Sequence, residues 1–251
     1  MTQIRDSPPN AIILGLDLGQ ANDYTALSVT EAQTDVAHRL DRYAVRALDR
    51  WRPRRYQDVV ARVAEILPKL TASVLVHRHV GFVPMRPRVT LVLDRTGVGR
   101  AVGDLFTEAR LDVDLQLVSI TGGADVVRDP TGGWRVPKRD LAGVVSVALQ
   151  NGRLEIANQL EHAATLRAEL KNFRARISAT GHDSYGAGDD WREGNHDDLV
   201  LAVALSVWWG EHTNAQGGVA ISQSYAGLGE ADLDDIDDLW GPGWAPTHAR
   251  P

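Results

Sequence analysis

The fold class this sequence predicts is a mixed α/β sheet that begins as an antiparallel meander and continues through alternating strands and helices. Three observations carry the prediction. Apolar or alternating runs separated by turn-rich segments fill roughly the first fifty residues. Helical and strand periodicities alternate after that. Finally, 251 residues with 43% apolar content suffice to bury one substantial core. Strands first, then strands alternating with helices, give a sheet with antiparallel and parallel parts, covered by helices.

The elements follow in order. Residues 11–18, 24–32 and 39–48 read as strands, joined by Gln20-Ala-Asn-Asp23 and Gln33-Thr-Asp35. Val59, Val60, Val63, Ile66 and Leu67 recur at helical spacing and predict a helix over 54–70. The strand Val89-Thr-Leu-Val-Leu-Asp94 comes next, then a helix over 98–109, a strand over 113–120 and a helix over 138–150 opened by Pro137. A helix over 160–172, a strand over 174–179 and a last helix over 195–210 complete a domain of residues 11–211. Residues 1–10, with Arg5, Asp6, Pro8 and Pro9, are expected to be flexible. The segment 212–251 is acidic, contains Trp, Pro and Gly, and is expected to be a weakly ordered tail. Its Leu233, Ile236, Leu239 and Trp240 are spaced as anchors for a partner groove. The sequence has no internal repeat.

Composition excludes several classes of function. No run approaches the roughly 18 apolar residues of a membrane span, so no membrane partner is expected. The first residues lack an apolar stretch of signal-peptide length, which argues against secretion. With no cysteine there are no disulfides and no thiolate metal sites, a composition that fits the cytoplasm. A net charge of −6 argues against a uniformly basic nucleic-acid binder but leaves room for a local basic cleft.

Acidic residues supply the strongest chemical signal. Asp17 ends the apolar strand Ala11-Ile-Ile-Leu-Gly-Leu-Asp17, Asp94 ends the strand that begins at Val89, and His196-Asp197-Asp198 opens the last apolar helix. Each position has an ordinary explanation: Asp17 before Gly19 suits a turn, Asp94 before Arg95-Thr-Gly97 suits a helix cap, and Asn195, Asp197 and Asp198 suit a helix N-terminus. Together they place three carboxylates at the ends of three elements expected to be neighbours. Such groups repel one another and resist ionising unless a cation joins them. Mg²⁺ or Mn²⁺, which prefer oxygen ligands, fit that donor set. His196 is read as a residue supporting this set or capping the helix. His77 and His79 alternate as metal ligands would, but no further ligand lies near them in sequence.

Four segments together resemble a known family. Gly15-Leu-Asp-Leu-Gly19 with Asp23-Tyr-Thr25, Leu93-Asp94-Arg-Thr-Gly97, Val136-Pro-Lys-Arg-Asp-Leu141 and Asn195-His-Asp-Asp-Leu-Val-Leu-Ala-Val-Ala-Leu205 look like the C-terminal nuclease domain of phage terminase large subunits. The resemblance implies the ribonuclease H-like fold shared with Holliday-junction resolvases. It also implies Asp17, Asp94 and Asp198 as catalytic, metal-binding carboxylates, with Asp197 the alternate in the third position. Asp17 would bridge two ions, Asp94 would hold one and Asp198 the other, an arrangement that suits in-line phosphodiester hydrolysis. The implied activity is metal-dependent cutting of concatemeric double-stranded DNA during packaging, in the host cytoplasm. A separate packaging ATPase, a small terminase subunit or a portal would be the partners.

Candidate DNA contacts are Lys138 and Arg139 at a helix start, Arg174 and Arg176 on the late strand, and Arg192 before the third acid. The stretch 180–188 reads as a hairpin beside the site, and Arg78, Arg86 and Arg88 form a second basic loop. No Gly-x-x-x-x-Gly-Lys-Ser/Thr loop occurs, so no ATP site is expected and the chain would cut DNA without translocating it. Three alternatives stand beside this reading: a junction-specific resolvase, an actin- or sugar-kinase-like ATP-binding protein suggested by Gly15-Leu-Asp-Leu-Gly-Gln20, and a non-catalytic packaging module.

Overall fold

The computed structural model describes residues 4–5, 10–19, 23–34, 40–72, 74–78, 81–97, 100–179 and 197–215. Its strands are β1 (Ile4–Arg5), β2 (Ala11–Asp17), β3 (Thr25–Thr34), β4 (Leu40–Trp51), β5 (Val74–Arg78), β6 (Gly81–Met85), β7 (Val89–Asp94), β8 (Asp114–Thr121), β9 (Val127–Arg128), β10 (Trp134–Pro137) and β11 (Leu154–Ile156). Its helices are α1 (Tyr56–Leu70), α2 (Arg100–Glu108), α3 (Lys138–Gln150), α4 (Ala163–Ala179) and α5 (Asp198–Ala215). The main sheet has eight strands in the order β11-β4-β3-β2-β7-β8-β10-β9. β2, β3 and β4 form the antiparallel meander, and β7 and β8 extend the sheet in parallel from β2. This is the mixed sheet that the sequence predicts.

Alternation along the central strands divides the core in two. On one face, Ile12, Leu14 and Leu16 of β2 and Leu91 and Leu93 of β7 pack with α1 and α2 residues such as Val63, Ile66 and Phe106. On the other, Ile13 of β2 and Val92 of β7 pack with Leu141 of α3, Leu166 of α4 and Leu199–Trp209 of α5. Helix α5 is buried over that entire stretch, which is what a helix apolar on all sides requires. Among the described residues, no helix is long and apolar enough to cross a membrane.

Several expectations are corrected. Residues 174–179 are not a strand, because α4 runs on to Ala179. Leu166, Leu170 and Phe173 form one helical stripe in the core, so the period of the preceding residues simply continues. Arg174 and Arg176 therefore stand on a helix. Ile4–Arg5, inside the segment expected to be flexible, pairs in parallel with Leu75–Val76 of β5. Arg78 and Pro84 belong to the β5–β6 hairpin, with β6 at the edge of a three-stranded sheet, where proline is tolerated, while Arg86 and Arg88 follow β6. Helix α5 reaches Ala215, beyond the boundary expected at 211. Asn195, His196, Arg192, the stretch 180–188 and the anchors Leu233, Ile236, Leu239 and Trp240 lie outside the described residues.

Candidate active site

One row across the sheet organises the site. Arg50 of β4 pairs with Ala26 of β3, Ala26 with Asp17 of β2, and Asp17 with Asp94 of β7. Asp17 and Asp94 therefore end adjacent parallel strands in register, about 4.7–4.9 Å apart across the sheet. By alternation with Ile13 and Val92, both lie on the face covered by α5. Asp94 is nearly fully buried. Its carboxylate accepts the Thr96 N–H at 2.7 Å and the Thr96 hydroxyl, whose oxygen in turn accepts the Ile120 N–H at 2.6 Å. The carboxylate is thus tied to β8 as well as to its own turn.

Helix α5 brings the third acid to the same row. The Ser28 hydroxyl donates to the Ala202 carbonyl at 2.9 Å, and Thr30 and Ser206 share a hydrogen bond of 2.8 Å. The helix therefore runs towards the C-terminal end of β3, and its own N-terminus lies near Ala26 and Asp17. Asp198 accepts from Arg50 Nε at 2.7 Å. The Arg50 guanidinium also lies 4.1 Å from the Tyr24 ring centroid, while Arg52 lies 4.2 Å from the same ring. Asp197 takes Lys138 Nζ of α3 at 2.9 Å, and that ammonium lies over the Phe173 ring of α4.

Glu169 of α4 lies against the start of α5. One carboxylate oxygen accepts the N–H groups of Leu199 and Val200 at 3.1 and 3.2 Å. The other, Oε1, is buried without a hydrogen-bond partner among the described residues. Burial pushes the Glu169 carboxyl up to about 7; Asp198 and Asp197 add to the rise, while the Val200 N–H and Arg50 oppose it.

The structure thus brings Asp17 and Asp94 together and places Asp198 at the same end of the same face, with Asp197 beside it. Among the described residues, no group of three or more His, Cys, Asp or Glu is arranged to hold a metal ion, and Asp198 is engaged by Arg50. The donor set nevertheless fits a hard divalent cation. It offers only carboxylate oxygens, two of them from strands in register. Lys138 is ion-paired with Asp197, and Arg139 pairs with Asp140 and donates to the Ala124 carbonyl.

Arg50, Thr96 and Glu169 are absent from the sequence-derived set. Arg50 lies just past the predicted end of its strand, in the charged run Asp49-Arg-Trp-Arg52. Glu169 had a signal: it occupies the i+3 position of the stripe Leu166, Leu170, Phe173, a charge on a face that must be buried. A cavity of about 420 Å³ lies apart from these residues, lined by Arg139, Val144, Val147, Arg153, Trp208 and His212 among others.

No family model matches the chain. It is 26% identical over 202 residues to the terminase large subunit of Thermus phage G20c, covering 79% of this chain and 32% of that protein. The terminase large subunit of Thermus virus P23-45 matches to the same extent, with 26% identity over 202 residues. The chain thus spans about a third of the length of the curated relatives it matches. Among solved structures, the large terminase nuclease from thermophilic phage G20c with bound magnesium is 21% identical, with a TM-score of 0.47, covering 81% of this chain and 84% of that one. Across 202 residues, and not only in its short motifs, the chain is similar to the large subunits of phage terminases.

Proposed function

We propose that the chain is a divalent-metal-dependent DNA endonuclease that cuts double-stranded phage DNA during genome packaging. The observation that carries this reading is the register of Asp17 and Asp94 at the ends of adjacent parallel strands, with Asp198 held over the same face. Like charges so placed favour a shared cation. Asp17, Asp94 and Asp198 would hold Mg²⁺ or Mn²⁺, with two ions the expected complement and Asp197 the alternate ligand. Bound there, the ions would supply a more acidic water and charge neutralisation at the phosphoryl group. Thr96 fixes the orientation of Asp94, and Arg50 screens Asp198 from the neighbouring acids. Similarity to terminase large subunits supports duplex DNA as substrate and packaging components as partners. Arg139, Arg174, Arg176 and Arg192 are the proposed phosphate contacts. Lys138 joins them only if its pair with Asp197 exchanges, and His196 is the proposed supporting residue.

Supercoiled plasmid incubated with Mg²⁺, Mn²⁺ or EDTA tests this reading. The wild type should nick and linearise the plasmid with metal and be silent in EDTA. Asp17→Asn, Asp94→Asn and Asp198→Asn should each lose more than about 100-fold, beyond what a residue that only supports a ligand costs. Each variant should stay folded, because amidation relieves carboxylate repulsion. Any one of them cutting at the wild-type rate would remove that residue from the metal site.

A further inference from the structure

The cap of α5 comes from another helix. A helix start leaves its first N–H groups without intrahelical partners, and the N-cap side chain usually accepts from the second or third of them. Asp197 is the N-cap of α5, since its carbonyl accepts the Leu201 N–H at 2.9 Å. Its carboxylate, however, is on Lys138 at 2.9 Å. The N–H groups of Leu199 and Val200 go instead to Glu169, some thirty residues upstream on α4. A buried carboxylate is an expensive cap when a neutral oxygen would accept the same bonds. It is more so beside Asp197 and Asp198, which oppose its charge.

We propose that Glu169 is a positioning residue of the nuclease site. By capping α5 from outside, it releases Asp197 from capping duty, so that Lys138 and Arg50 can hold the carboxylates of Asp197 and Asp198 beside Asp17 and Asp94. The inference rests on the nuclease reading. Without the cap, Asp197 is a favoured residue to turn back onto its own helix. It would then leave Lys138 and shift the acidic pair.

Two substitutions separate the cap from the charge. Glu169→Gln keeps an oxygen that can accept both N–H groups and loses the charge; Glu169→Asp keeps the charge and withdraws the oxygen by one methylene. Mn²⁺ affinity by electron paramagnetic resonance, half-saturating Mn²⁺ for plasmid cleavage, and urea denaturation are measured on the full chain. Glu169→Gln should stay close to the wild type in both metal readouts. Glu169→Asp should be folded, with metal affinity and half-saturation worsened by about 10–100-fold. Unchanged metal readouts in folded Glu169→Asp would reduce Glu169 to a cap without effect on the site and overturn the proposal. Loss in Glu169→Gln with retention in Glu169→Asp would also overturn it, since charge rather than capping would then matter. A wild type that neither binds Mn²⁺ nor cuts would sink the nuclease reading first and this one with it.

Discussion

Gly15 sets how closely α5 approaches the sheet. A Cβ at this position would stand 1.8 Å from the Ala202 carbonyl oxygen and 3.0 Å from the Ser28 hydroxyl, both held in the hydrogen bond that seats the helix. Gly15→Ala should therefore push α5 outwards and cost about 1–3 kcal/mol, the range for overpacking. The fall in Tm should be about 2–4 °C per kcal/mol in a protein of this size. Cleavage should drop further than stability alone accounts for, since Asp198 rides on the displaced helix. Calorimetry and plasmid assays on one preparation would check both, and an unshifted Tm would show that the helix adapts. Residues like Asp17 and Asp94 are legible in sequence because a carboxylate closing an apolar strand stands out locally. Their register is not legible, since it depends on which strands become neighbours. Arg50 and Gly15 derive their roles from a helix that begins more than a hundred residues later in the chain.

Helix α5 is held along its length by buried polar contacts as well as by apolar packing. Ser206 donates to the Val203 carbonyl at 2.8 Å, so in its bond with Thr30 it is Thr30 that donates. Both hydroxyls are fully buried. Ser206→Ala should strand the Thr30 hydroxyl and cost about 1–3 kcal/mol, whereas Ser206→Ala with Thr30→Val should recover most of the loss. Urea titration of the two variants decides the matter, and equal losses would show that Thr30 finds another acceptor. At the C-terminal end, Tyr43 donates to Glu211 at 2.6 Å, Arg153 bridges to the same carboxylate, and the Leu40 N–H donates to Asn214. Strong periodicity made the major elements readable: α3 begins at Lys138 after Pro137, as expected. Where periodicity was weak or broken by proline, elements were missed. β10 and β11 have only four and three residues, too short to show a period.

At the scale of the molecule, pH acts through groups placed far from one another. His212 stacks on Trp208 at 4.8 Å, and burial, reinforced by the charge of Arg128, lowers its pKa below the usual imidazole value. The unfolded chain therefore takes up this proton first as pH falls. The contribution of neutral His212 is complete above about pH 6.5 and is lost below that, through the folded pKa. Glu169, raised to about 7, acts in the opposite sense: its contribution is complete below the unfolded value of 4.5 and is lost as pH rises through 7. The readable quantity is therefore the difference in stability between wild type and His212→Gln. It should be flat from pH 7 to 8 and move against the wild type between pH 6.5 and 5. A constant difference over that range would mean that His212 titrates alike in both states. The central seat of α5 has a further consequence, in time rather than space. The strands bearing Asp17 and Asp94 emerge from synthesis first, and Asp198 follows Asp94 by about a hundred residues, roughly 5–20 s at ordinary elongation rates. During that interval the nascent sheet exposes the apolar face that α5 will cover, and its two carboxylates lack their third companion. The proposed metal site would therefore stay incomplete while the chain is being made, and would form in the same step that closes the core.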